Sequence, residues 1–163
     1  MPPVPPEWGL QGIVPTLPIE IGMPAAATDL VALYQPGQWV PFFRGPQNFI
    51  HVHGDIRVRV AGATGEKIKV QTQRIGVFGC DGPTFVGIES TAATTQLFRE
   101  SEEMFTSVKK PQLLVLGPAS KAQEFCGKSM SFWVFARLAG TTTWGAAHRL
   151  VRLYDGGTTM ILP

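Results

Sequence analysis

A chain of 163 residues and 17.7 kDa has room for one ordinary domain, since single cores usually organise roughly 100–200 residues. With 44% hydrophobic and 16% charged residues it is expected to bury a core, which excludes a long disordered chain. The net charge is +2, no run reaches the ~18 apolar residues of a spanning helix, and no basic-then-apolar leader opens the chain, so neither membrane insertion nor secretion by that route is expected.

Charge and proline are unevenly spread. Residues 1–43 hold Glu7, Glu20 and Asp29 and no Lys or Arg, while all 14 bases and nine acids follow, dispersed rather than gathered into a phosphate-gripping arm. Ten of the 14 prolines lie in the first 46 residues. Those at 2, 3, 5, 6, 15, 18 and 24 forbid a helix and favour extended backbone, so residues 1–28 read as a Pro-rich extended arm. Val4, Trp8, Leu10, Ile13 and Ile19 make it too apolar for a solvated linker, so the arm should lie against its own domain or a neighbouring subunit.

Next, Asp29 through Tyr34 offers a short helix, with Thr28 or Asp29 as N-cap, Leu30, Leu33 and Tyr34 at spacings of three and four, and Pro36–Gly37 as its stop. From Trp39 strand signals dominate. Ile50, Val52, Ile56, Val58 and Val60 alternate with polar residues around an irregularity at Gly54–Asp55, and Ile68 and Val70 alternate with Lys67, Lys69 and Gln71, so residues 50–75 read as a hairpin. Apolar runs at 84–88, 113–116, 131–138, 148–154 and 158–162 suggest further strands, and only Thr94–Val108 offers a second helix or irregular loop. Short strands without alternating helices indicate an antiparallel sandwich or barrel. In Phe132–Trp133–Val134–Phe135 both faces are apolar, so one pair should meet the core and the other a neighbouring subunit or the arm.

Candidate chemistry is sparse. His51-x-His53 places two imidazoles on one strand face, where His148 could complete a metal site; this resembles the His-x-His start of the cupin motif, but the following Glu is missing, so plain surface histidines are expected and no metal is assigned. Cys80 and Cys126 lack a CxxC or reactive context and read as reduced core residues. There is no Gly-x-Ser-x-Gly elbow, and Glu100, Glu102 and Glu103 read as a solvated cluster rather than an acid–base pair. Gly62-x-x-Gly65 and Gly76-x-x-Gly79 lack phosphate-loop context and read as turns. Arg57, Arg59, Lys67, Lys69 and Arg74 form a basic stripe on the expected hairpin, which is read as solubilising, with non-specific RNA contact as its functional counterpart. No catalytic, cofactor-binding or metal-binding residue is assigned, and no cofactor is expected.

The remaining features are architectural, and their order resembles a picorna-like virus capsid protein of the picornavirus, dicistrovirus and secovirus type. An arm leads to a short helix and then to the aromatic-Arg-Gly segment Trp39–Gly45; Ile50–Val60 with Lys67–Ile75 looks like the C and D strands, and Ser131–Leu138 with His148–Tyr154 like the closing H and I strands. The resemblance implies an all-β, eight-stranded antiparallel jelly-roll sandwich over residues 29–163, with the extended N-terminal arm and one or two short helices. It also implies a non-catalytic structural subunit of an icosahedral shell around an RNA genome, with other capsid subunits as partners, found in the virion and in host cytoplasm during assembly. The alternatives are a cupin-like metal enzyme using His51, His53 and His148, and a carbohydrate- or protein-binding β-sandwich module.

Overall fold

The segment Ser129–Leu138 alternates Met130, Phe132, Val134 and Ala136 inward, and in a strand every second side chain shares a face, so this run buries one complete side. Its partner, Trp144–Asp155, pairs antiparallel with Phe132 opposite Arg149 and Ala136 opposite Gly145. Strands were expected over both segments, and the rest of the sheet is built outward from their pairing.

The computed structural model is all-β, with 66% strand and 3% helix, and describes residues 14–25, 30–79, 93–109, 113–118, 120, 127 and 129–157. Eleven strands are found among the described residues: β1 (Ile19–Pro24), β2 (Val31–Leu33), β3 (Gln38–Arg44), β4 (Phe49–His53), β5 (Asp55–Arg59), β6 (Lys67–Gly79), β7 (Ala93–Ser101), β8 (Met104–Thr106), β9 (Leu113–Pro118), β10 (Ser129–Leu138) and β11 (Trp144–Asp155). They form one mixed sheet in the order β2-β1-β5-β8-β7-β6-β10-β11-β3-β4-β9, antiparallel except where β3 lies parallel to β11. The sheet curls back on itself. Thr16 and Leu17 donate their N–H groups to Trp144 O, and Leu17 bridges Gly145, so the lead-in to β1 meets the start of β11. Gly145 permits this approach, since a side-chain carbon there would collide with the Leu17 carbonyl and the Ile19 side chain. Inside the curl one apolar cluster joins strands from both ends of the order, among them Ile21, Phe42, Ile50, Ile56, Leu97, Phe132 and Leu153.

Several expectations are corrected. In place of eight antiparallel strands, the described residues form eleven in a mixed sheet. The 50–75 hairpin does not form: the kink at Gly54 separates β4, which pairs β3 and β9, from β5, which pairs β1 and β8, while β6 pairs β7 and β10. Alternation identifies strands but carries no information on which partner satisfies their backbone groups. The helix expected over Asp29–Tyr34 is instead strand β2, because Val31–Leu33 can pair with Pro24–Gly22. Thr94–Val108 is neither helix nor loop but β7 and β8, joined by a tight turn at Glu102–Glu103 in which Glu103 is left-handed (φ 62°). Gly76 and Gly79 lie within β6, opposite Trp133 and Met130, whereas Gly62 (φ 71°) and Gly65 (φ 95°) occur in the expected turn. Among the described residues the helical content includes one 3₁₀ turn, Pro46–Asn48.

The described part of the N-terminal segment is built into the sheet: β1 lies between β2 and β5, and Leu17, Ile19 and Ile21 belong to the core. Phe132 and Val134 face that core as one of the two expected pairs, and Trp133 and Phe135 on the other face are 3% and 5% exposed. That second face is thus covered within the chain itself and needs no neighbouring subunit. The strands expected at 84–88 and 158–162, and Cys80 and Cys126, lie outside the described residues. No helix among the described residues is long and apolar enough to cross a membrane.

Candidate functional site

The histidines mark the first place to look for chemistry. On β4, Ile50 and Val52 fill the core, which turns His51 and His53 to the opposite face. His51 lies over Gly45, where a side-chain carbon would strike its ring. His53 is 8% exposed, edge-on to Phe43 with ring centres 6.2 Å apart. His148 sits on β11 against the Trp133 ring at 4.5 Å. Among the described residues no three His, Cys, Asp or Glu side chains converge as a metal site, so the fold does not bring His148 to the His51–His53 pair as the cupin-like alternative requires.

What His53 does meet is a buried polar corner that sequence reasoning missed. At the β4–β5 joint, Asp55 is fully buried and its Oδ2 lies 3.4 Å from His53 Nδ1, an electrostatic contact rather than a hydrogen bond. Ser107 Oγ donates to Asp55 Oδ1 at 2.9 Å and accepts the Ile56 N–H at 3.0 Å. Tyr34 donates its hydroxyl to the His53 carbonyl at 2.7 Å, and Arg149 Nε donates to the Tyr34 carbonyl at 3.1 Å. Burial, and secondarily the negative charge of Asp55, pushes the Tyr34 hydroxyl well above its ordinary titration range. The residue types evoke a Ser-His-Asp device, but the connectivity differs. Ser107 hydrogen-bonds the carboxylate instead of the imidazole, so the histidine is not placed to take its proton, and its hydroxyl is sealed from solvent. The corner ties β4, β5 and β2's flank together; it is a structural network. Tyr34, assigned to a helix by its spacing, and Ser107, lying in an expected helix or loop, offered no signal in the sequence.

The acidic cluster and the basic stripe are broken up by pairing. Arg57 binds Glu20 at 2.8 Å and approaches Glu100 at 3.7 Å, and Arg59 binds Glu103 at 3.3 Å. Glu103 also accepts the Gly62 N–H, and these contacts hold its carboxyl below the usual range, the backbone bond first and Arg59 second. Lys67 and Lys69 lie on β6, apart from the β5 arginines, and the side chain of Arg74 lies outside the described residues.

A surface of different character lies along the parallel β11–β3 pair. Leu150, Arg152 and Tyr154 alternate on the outward face of β11, and Trp39 stands opposite Arg152 on β3. Trp39 is 50% exposed, Leu150 and Tyr154 are each 41% exposed, and the Arg152 guanidinium lies 5.6 Å from the Trp39 ring centre. Three large apolar side chains are thus gathered on one open sheet face. The period-two pattern of Leu150, Arg152 and Tyr154 was legible; the placement of Trp39 beside them required the parallel pairing. No protein-family model, curated protein or solved structure matches the chain.

Proposed function

We propose that the protein is a non-catalytic structural subunit of an icosahedral capsid, a rolled β-domain of jelly-roll type that assembles with further capsid subunits around an RNA genome. The observation that carries this reading is the open apolar face of Trp39, Leu150 and Tyr154 on the β11–β3 pair. A free monomer would leave that face in water, whereas burial against a neighbour contributes ~25 cal/mol per Å² of apolar area. Two further features support it. The mostly antiparallel sheet curls around one apolar core, and the most catalytic-looking residues, Ser107, Asp55 and His53, contact one another inside the fold. In this reading the protein resides in the virion, and in host cytoplasm during assembly.

The test is particle mass. Light scattering and electron microscopy of the purified full chain should find closed shells in the megadalton range, and a protein that remains a 17.7-kDa monomer under all assembly conditions would overturn the proposal.

A further inference from the structure

The outward face of the sheet has a second open zone, on the far side of the covered Trp133–Phe135 pair. On β6 the alternation that sends Val70 inward sends Lys67, Lys69 and Gln71 outward, and Phe98 of β7 stands opposite Lys67. Two ammonium groups converge on that ring: Lys67 Nζ lies 5.6 Å and Lys109 Nζ 5.5 Å from the Phe98 centre. On the other flank Arg137 of β10 stands opposite Gln71, hydrogen-bonds its side chain and lies 5.5 Å from the Trp144 ring centre. Three cations and two aromatic rings on β7, β6, β10 and β11 are thus joined by Lys109 from the segment after β8.

Arg44, Arg57 and Arg59 each have a carboxylate partner. Arg99 and Arg149 direct their donors to backbone carbonyls and Arg152 lies against Trp39. Among the described residues, none of Lys67, Lys69, Lys109 and Arg137 has one within 4.0 Å, and exposed Glu66 next in the chain pairs with none of them. The ring attracts each ammonium by its quadrupole, which keeps both lysines beside Phe98 before any ligand arrives. Along β6, Lys67 and Lys69 recur every ~6.6–7 Å, a repeat that an extended phosphate backbone can follow.

We infer that this face binds single-stranded RNA through its phosphates. This sheet face presents no helix to enter the groove of a duplex, whereas a cationic sheet face interleaved with aromatic rings suits an extended single strand. Binding is tolerant of sequence, because the contacts are to the backbone, and is sensitive to salt. The inference rests on this cluster and not on the apolar face, and its test is separate from particle mass.

The experiment is fluorescence anisotropy of the full chain with a labelled oligo-uridine over a series of salt concentrations. Three to four phosphate contacts predict a slope of log K against log salt of about −2 to −3, at about 0.7 per contact on a single strand. Replacing Lys67, Lys69 and Lys109 by Ala should lower affinity at least about tenfold at ~0.1 M salt and flatten the slope by about 2. Trp39→Ala, on the other zone, should leave RNA affinity unchanged and thereby separates this surface from assembly. Absence of binding by the unmodified chain, an unchanged slope in the triple variant, or equal competition by polyglutamate would each overturn the inference, whatever the particle mass.

Discussion

The buried corner at the β4–β5 joint and the open outward face carry similar kinds of side chain and use them in opposite ways. In the corner, Tyr34, His53, Asp55 and Ser107 are within 8% exposure and are joined through contacts of 2.7 to 3.4 Å that the chain supplies itself. On the outward face, Trp39, Leu150, Tyr154 and Lys67 stand open to solvent. A polar group taken from water must find its partners within the fold, and once it has them it has little left for a substrate. An exposed aromatic or unpaired cation has given up no solvation and remains available to a second molecule. Residue type alone therefore points to the wrong half of this molecule: the serine, histidine and aspartate meet one another inside the fold, and the tryptophan and lysines are the side chains left open.

The sharpest way to break the comparison is Asp55→Ala. It strips Ser107 of its acceptor and leaves His53 facing an empty site, so a loss of about 3–5 kcal/mol is expected in urea unfolding. A loss under about 1 kcal/mol would mean that the corner does not hold the joint.

Tyr34→Phe should cost about 1–3 kcal/mol, because the His53 carbonyl loses its donor inside the fold. The pH dependence has a definite sign. Burial and Asp55 favour the neutral hydroxyl in the folded state, so its contribution is complete below the ordinary value of about 10 and is lost as pH rises beyond it. The slope is at most about 1.4 kcal/mol per pH unit for one proton. Urea midpoints of the two proteins compared between pH 8 and 11 should converge on the alkaline side; parallel curves would remove Tyr34 from the corner's energetics.

A smaller effect is expected at acid pH from His148, which lies against Trp133 between the two open zones. Partial burial, and then the neighbouring Arg149 charge, lowers its proton affinity, so the folded state favours neutral imidazole. Its contribution is present above the ordinary value of 6.5 and fades as pH falls below it. His148→Gln should flatten the thermal midpoint between pH 7 and pH 5, and an undiminished acid dependence in that variant would assign the effect to other groups.

The least change in stability is expected from the double substitution Trp39→Ala with Tyr154→Ala, within about 1 kcal/mol, since both side chains are largely exposed already. Its effect should fall instead on particle formation, read by sedimentation. Full-sized particles from this variant would detach the apolar face from assembly.

Sequence alone determined that the chain is all-β with a buried core, and it located most of the strands that the structure describes. β10 and β11 were readable because Phe132 and Val134, or Val151 and Leu153, repeat with the pleat, and a two-residue period records local exposure to a core. The irregularity at Gly54 was visible as well. That it divides two strands with different partners was not, because any exposed strand edge can accept any other and the choice depends on residues distant in the chain. Val31–Leu33 shows the same limit: its spacing suits a helix turn, and only the presence of β1 alongside made it a strand. The candidate sites divided likewise. The His51-x-His53 pair was plain in the sequence, yet what surrounds it, Asp55 with Ser107 and Tyr34, was assembled by pairings across 51 or 52 and 19 positions. Trp39 beside Arg152, and Lys67 with Lys109 over Phe98, are likewise products of register. Composition and periodicity act through each residue's own contact with water or core, whereas a site needs several side chains at one point, and only tertiary pairing brings them there.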